Sequence, residues 1–231
     1  MIILNFKTYP EATLGDSPIK LAKIAQTASG QFSLPIILCV QASDIFQICQ
    51  AVSIPVYAQH IDPFEPGKHT GSTTALAVRQ DGAAGVLINH SEHRIISKDP
   101  KSWQTLTHTI QLAKKNRLKT LVCVESSAEA QKIDRLKPDA IALEDPVLIG
   151  GKESIVKNLA GKQKVAEFIA RNLKAKSLIG AGVKSQSDVV KALQLGADGI
   201  LISSGFVKAA DPAEVLQDLC AGFNTVNLIE R

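Results

Sequence analysis

The sequence is poor in most of the features that mark special-purpose chains. Aromatic residues make up only 4% and nowhere alternate with basic clusters, so the base-stacking platforms that single-stranded nucleic acids require are missing. Only four cysteines occur, Cys39, Cys49, Cys123 and Cys220, with neither metal-ligand spacing nor the density of a disulfide scaffold. They read as reduced, mostly buried thiols. No apolar run comes near the roughly 18 residues needed to span a bilayer, and no basic segment leads into an apolar one at the start. Linker-like tracts, low-complexity runs and blocks of like charge are also missing. The 26 Lys and Arg are scattered among 22 Asp and Glu, so the net charge of +4 makes no nucleic-acid footprint, though it would help attract a small anion. These absences argue against nucleic-acid and membrane partners and predict a cytoplasmic protein with no metal and no other cofactor.

What remains is a chain of 231 residues, 45% hydrophobic and 21% charged, the profile of one globular domain over residues 1–231. Short β-branched runs recur at Ile2 to Phe6, Pro35 to Val40, Pro55 to Gln59, Gly85 to Asn89, Thr120 to Val124, Ala140 to Glu144, Ser177 to Gly180 and Gly199 to Ser203, giving eight candidate strands. Amphipathic segments separate them, such as Ile19, Leu21, Ala22, Ile24 and Ala25, or Val165, Phe168, Ile169 and Leu173. Asp211-Pro212-Ala213-Glu214 reads as a helix start, and Ser126 with Glu129 and Ser185 with Asp188 read as weaker capping boxes. Most strands are apolar on both faces, as when one face lines a barrel and the other packs under helices. This alternation predicts a single (β/α)₈ barrel of parallel strands, an α/β fold, rather than a doubly wound open sheet.

Several of these strands end on chemistry. Val86-Leu87-Ile88 runs into Asn89-His90-Ser91-Glu92, Ile2-Ile3-Leu4 into Asn5-Phe6-Lys7, and Ala140-Ile141-Ala142-Leu143 into Glu144. In parallel neighbours such residues converge on the carboxyl-end face, where α/β folds place their chemistry. Glu144 reads equally as a strand-ending salt-bridge partner or as a base. The loop Val147-Leu148-Ile149 between Pro146 and Gly150-Gly151 resembles a lid that would close over it and favours the second reading. A lone histidine is more often a satisfied core residue, but His90 stands just before a helical start, where backbone N–H groups disfavour imidazolium and a neutral ring can donate to a carbonyl. His60 and His69 are weaker candidates; His93 and His108 read as surface residues. Lys7 should share a strand face with Asn5 and bring a cation to the mouth. Gly180-Ala181-Gly182-Val183 and Ser203-Ser204-Gly205 are either tight turns or the phosphate-binding loops that recur after the last two strands of such barrels.

Asn5-Phe6-Lys7-Thr8-Tyr9, Asn89-His90-Ser91-Glu92, Leu143-Glu144, Leu148-Ile149-Gly150, Gly180-Ala181-Gly182 and Ser204-Gly205 stand in the order found in the triosephosphate isomerase family, which the chain resembles over essentially its whole length. The likeness is closest to the short archaeal-type branch, through Ala58-Gln59-His60-Ile61-Asp62-Pro63 and His69-Thr70-Gly71. The resemblance implies that Glu144 removes the proton beside the substrate carbonyl and His90 polarises that carbonyl, a pair of roles for which this family is itself the reference case. It further implies that Lys7 and Asn5 hold the phosphorylated triose, that Ile149, Gly182, Ser203 and Ser204 hold its phosphate through backbone groups, and that Glu92 supports the site from behind. Homodimers or homotetramers would follow, with 66–70 as the contact segment. Two departures stand out: Gly151-Lys152 replaces the family's usual Thr-Gly after the lid, and Asp145 stands where proline commonly follows the glutamate. Both predict weaker lid closure. Another phosphate-binding barrel enzyme, or a silent barrel kept for binding or assembly, remains as an alternative.

Overall fold

The computed structural model describes residues 1–145 and 154–229. Its strands are β1 (Ile2–Asn5), β2 (Ile36–Val40), β3 (Val56–Ala58), β4 (Gly85–Ile88), β5 (Lys119–Val124), β6 (Ala140–Leu143), β7 (Lys176–Ile179) and β8 (Gly199–Ile202). Each pairs in parallel with the next, and β8 returns to pair with β1, closing the expected barrel.

The alternation of side chains along a strand divides the apolar residues into two layers. Ile3, Ile37, Cys39, Tyr57, Leu87, Leu121, Cys123, Ala142, Leu178 and Leu201 fill the barrel. Their strand neighbours, among them Ile2, Leu4, Leu38, Val86, Ile88, Ile141 and Ile200, pack outward against the helices. Both faces are dry, which is why the strands read as unbroken apolar runs. Each fully buried Ile, Leu or Val contributes about 1.5–3 kcal/mol, so the two layers together outweigh any single polar contact in the fold.

The helices form where the sequence places small and aliphatic residues at three- and four-residue spacing. Ser17–Phe32 turns Leu21, Ala22, Ala25 and Ala28 inward, carries Pro18 in its first turn, and stops at Ser33, whose φ of 48° takes the chain out of the helix. The caps form as expected, with one difference. Ser126 and Ser185 accept the N–H groups of Glu129 and Asp188, but the acidic side chains reach back to Glu125 N and Lys184 N, one residue earlier than a capping box requires. Asp211 takes the N–H groups of Ala213 and Glu214. Among the described residues no helix is long and apolar enough to cross a membrane.

The expected strands run on by about a residue at their carboxyl ends, and that overrun is informative. Phe6, Gln59, Glu144 and Gly180 lie beyond the regular ladder, yet each still gives its N–H to a carbonyl of the adjoining strand (Cys39, Val40, Val124 and Leu143) at 2.9–3.1 Å. One retained bond holds the backbone in place. The side chains of Gln59 and Glu144 face the mouth from there, while Phe6 packs outward into the core.

Candidate active site

Lys7, His90 and Glu144 line one recess at the carboxyl-end mouth, together with Gly182, Ser203 and Ser204. A larger cavity of about 470 Å³ adjoins it, bounded by Asn5, Lys7, Gln59, His60, His90 and Glu92. The residues expected to converge therefore do converge. Ile149 and the lid residues 147–152 lie outside the described residues, so their placement is not part of this picture.

Glu144 is 3% exposed and continues the inward phase of Ala140 and Ala142. Burial, and then the charge of the Glu144 carboxylate, push the Cys123 thiol beneath it well above its ordinary pKa, so a protonated thiol floors the site. A Cβ at position 180 would stand 3.3 Å from Glu144 Cγ and 3.1 Å from Leu201 O, so Gly180 keeps open the space beside the carboxylate. Asp145 adds less charge beside Glu144 than its sequence position suggests, because Lys164 Nζ stands 3.0 Å from its Oδ2.

His90 is 5% exposed and precedes a three-residue 3₁₀ turn, Ser91–His93, rather than the α-helix the sequence suggested; the next α-helix begins at Lys101. The turn nevertheless orients the ring. Glu92 N donates to His90 Nδ1 at 3.2 Å, which puts the lone pair on Nδ1 and the ring proton on Nε2. His90 Nε2 lies 3.5 Å from Glu144 Oε2, and both atoms are buried without a hydrogen-bond partner among the described residues. Buried groups left in this state cost about 1–3 kcal/mol each. Two of them facing one recess mark a site built for a guest.

Lys7 reaches the mouth differently from the expectation. The strand ends at Asn5, and Lys7 has φ 49°, a left-handed turn instead of a continued strand face. Asn5 Oδ1 accepts Lys7 N at 3.0 Å and so stabilises that turn. Gln59, which the sequence reading passed over, donates to Lys7 O at 3.0 Å and Cys39 O at 3.1 Å. Lys7 Nζ then pairs with Glu92 Oε1 at 2.6 Å, with the Lys7 side chain only 10% exposed. A fixed cation results, held from β1, β3 and the turn after β4.

Ser203 continues the inward phase of Leu201, and its hydroxyl is also buried without a partner among the described residues. Gly182 has φ 79°, which favours glycine in the loop after β7. His60 packs against His93 with ring centroids 3.9 Å apart and the planes tilted by 32° at the cavity edge, while His69 stacks on Phe64 at 4.2 Å in an exposed loop and His108 lies on the surface. Among the described residues no group of three or more His, Cys, Asp or Glu side chains is disposed to hold a metal ion.

Comparison with known proteins places the chain in a family. The family model described as triosephosphate isomerase matches residues 1–221. A curated triosephosphate isomerase from Methanobrevibacter smithii is 39% identical over 223 residues, covering 95% of this chain and 96% of its own. Those of Methanocaldococcus jannaschii and Saccharolobus solfataricus are 38% and 36% identical, over 95% and 94% of this chain and 98% and 93% of theirs. Among solved structures, the triosephosphate isomerase of Bartonella henselae superposes with a TM-score of 0.73 at 20% identity, over 96% of this chain and 98% of that one, which speaks for the fold. Matched along nearly its whole length by that family model and by relatives well above 30% identity, the chain belongs to the triosephosphate isomerase family.

Proposed function

We propose that the chain interconverts dihydroxyacetone phosphate and D-glyceraldehyde 3-phosphate by moving a proton between adjacent carbons through an enediolate, with Glu144, His90 and Lys7 as its catalytic residues. The observation that carries the reading is the pair of buried, unpartnered atoms, Glu144 Oε2 and His90 Nε2, in a recess that also holds the Lys7 ammonium. A carboxylate oxygen with spare basicity takes the proton beside the carbonyl. The Nε2–H group donates to the carbonyl oxygen as it gains negative charge, and the fixed ammonium offsets that charge in a site shielded from water. Asn5 acts by holding Lys7, and Glu92 by holding both Lys7 and the His90 ring.

The substrate phosphate would lie against Gly182, Ser203 and Ser204, where the unpartnered Ser203 hydroxyl adds a donor to the backbone groups. Ile149 would complete the pocket from the lid. The unpaired cysteines suit a reducing cytoplasm. Assembly as a homodimer or homotetramer would use the exposed segment Pro66 to Thr70, and light scattering on the purified chain reads the subunit number. The isomerase reading is tested by a coupled assay with glyceraldehyde 3-phosphate. Turnover that Glu144→Gln abolishes supports it; turnover no faster than buffer refutes it.

A further inference from the structure

Beyond the groups that would touch substrate, the turn that carries His90 is governed by the residue before it. Leu87 points into the barrel, so unbroken alternation would send Asn89 inward too and leave His90 under the helices. Asn89 instead has φ 64°, and this left-handed step exchanges the two faces. His90 enters the mouth. The Asn89 side chain, only 1% exposed, turns toward the junction of β5 with the helix Ser127–Asp134.

There the amide spends every hydrogen bond it can make. Oδ1 accepts the N–H groups of Ile95 and Ile96, both at 2.9 Å, which fixes which end of the amide is oxygen. Nδ2 donates to Cys123 O at 2.9 Å and lies 3.4 Å from Glu129 Oε1. Glu129, itself buried, holds Arg94 through both carboxylate oxygens at 2.8 and 2.9 Å and accepts Glu125 N at 3.1 Å. Residues 89–96 are thus tied into a closed loop at Asn89 and anchored to β5 and the following helix. His90 and Glu92 sit inside that loop, including the 3.2 Å bond from Glu92 N that fixes the imidazole tautomer.

We propose that Asn89 is a positioning residue for His90: by closing the 89–96 loop and fastening it to Glu129 and Cys123, its amide holds the ring in one tautomer with Nε2–H presented to the substrate carbonyl. The role in turnover rests on the isomerase reading, whereas the role in fixing the tautomer does not. Asn89→Gly tests both, because glycine accepts the left-handed backbone and only the amide is lost. Nitrogen-15 spectra of the imidazole, recorded without substrate, and kcat and KM are measured on the parent and the variant.

The parent should show His90 as a single Nε2–H tautomer. In the variant the two tautomers should mix, and kcat should fall about 10- to 100-fold with KM within twofold, the loss expected when a reacting group shifts by about 1 Å. Asn89→Asp, which keeps the Oδ1 acceptor but sets a carboxylate against Glu129, should not restore either readout. A single tautomer persisting in Asn89→Gly overturns the proposal, whatever kcat does, and so does mixing with kcat unchanged. Should Asn89→Gly fail to fold, Glu129→Gln decides by the same two readouts, since it leaves the turn and the two Oδ1 bonds in place while loosening Arg94. A parent with no turnover would refute the isomerase reading and leave the Asn89 proposal to the spectrum.

Discussion

The two mouths of the barrel are built from the same strands and treat their polar groups in opposite ways. At the amino end three carboxylates are consumed by structure: Asp139 takes Thr120 N at 2.9 Å and Lys119 Nζ at 2.8 Å, Asp198 takes Ser177 N at 2.7 Å, and Asp134 takes Ala175 N at 2.9 Å. Each ties down the first N–H groups of an incoming strand. At the carboxyl end His90 Nε2, Glu144 Oε2 and the Ser203 hydroxyl are left without partners among the described residues. Left-handed residues divide in the same way. Ser33, Arg117, Lys137 and Asn172 follow the ends of helices on their way into strands, a common way to stop a helix, whereas Lys7 and Asn89 come just after strands and bring the Lys7 and His90 side chains to the cavity. One end uses its polar groups up in folding, and the other withholds them for a ligand.

If that contrast is functional, removing a withheld group should cost activity and leave stability intact. Glu144→Gln should show the largest effect: kcat should fall at least about 10²- to 10⁴-fold, the usual worth of a general base. The melting temperature should hold or rise, because a buried carboxylate with one unpartnered oxygen becomes a neutral amide. Loss of activity under threefold would remove Glu144 from the chemistry. Lys7→Met comes next. It keeps the apolar stem but removes the cation, and kcat should fall about 10²- to 10³-fold, as when an oxyanion-stabilising group is lost, with KM also raised. A variant that binds a phosphorylated substrate analogue as tightly as the parent would put the Lys7 charge outside the site.

Ser203→Ala sharpens the contrast with a smaller effect. A hydroxyl that is buried and unpartnered in the free protein but bonded to phosphate in the complex should contribute about 1 kcal/mol to binding, or roughly fivefold in KM, with kcat within twofold. Inhibition by inorganic phosphate should weaken by the same factor. Unchanged KM and phosphate affinity would mean that the backbone alone holds the anion.

How far the sequence reveals these two ends differs as well. The strands are legible because they rest on local, unbroken apolar runs, and Glu144 and Ser203 are legible because each stands where such a run ends. Lys7 was foreseen in place but not in geometry, since nothing in Asn5-Phe6-Lys7 announces a left-handed residue. The supports are invisible in the chain. Gln59 reaches Lys7 across 52 positions and Arg94 reaches Glu129 across 35, and no local pattern encodes contacts that only barrel closure creates. The packing of His60 against His93 is hidden for the same reason, as both rings read individually as minor or surface residues.

The smallest effect on catalysis is expected at the opposite mouth, where Asp139→Asn tests whether that end is purely structural. Burial alone would raise the Asp139 carboxyl, but the Lys119 ammonium and the Thr120 N–H and hydroxyl outweigh it and hold the group below its ordinary range. A carboxyl lowered in the folded state adds stability that is fully present above its unfolded value of about 3.9 and is lost as pH falls through the folded value. With the side chain 37% exposed, the contribution should stay under about 1 kcal/mol. The asparagine variant should therefore lose a little stability at neutral pH, and the gap from the parent should narrow as the pH drops below about 4. Its kcat/KM should match the parent within twofold at every pH where both are folded. A drop in kcat/KM of tenfold or more in a folded Asp139→Asn protein would mean that the two mouths are coupled through the barrel, and the division of labour between them would fail.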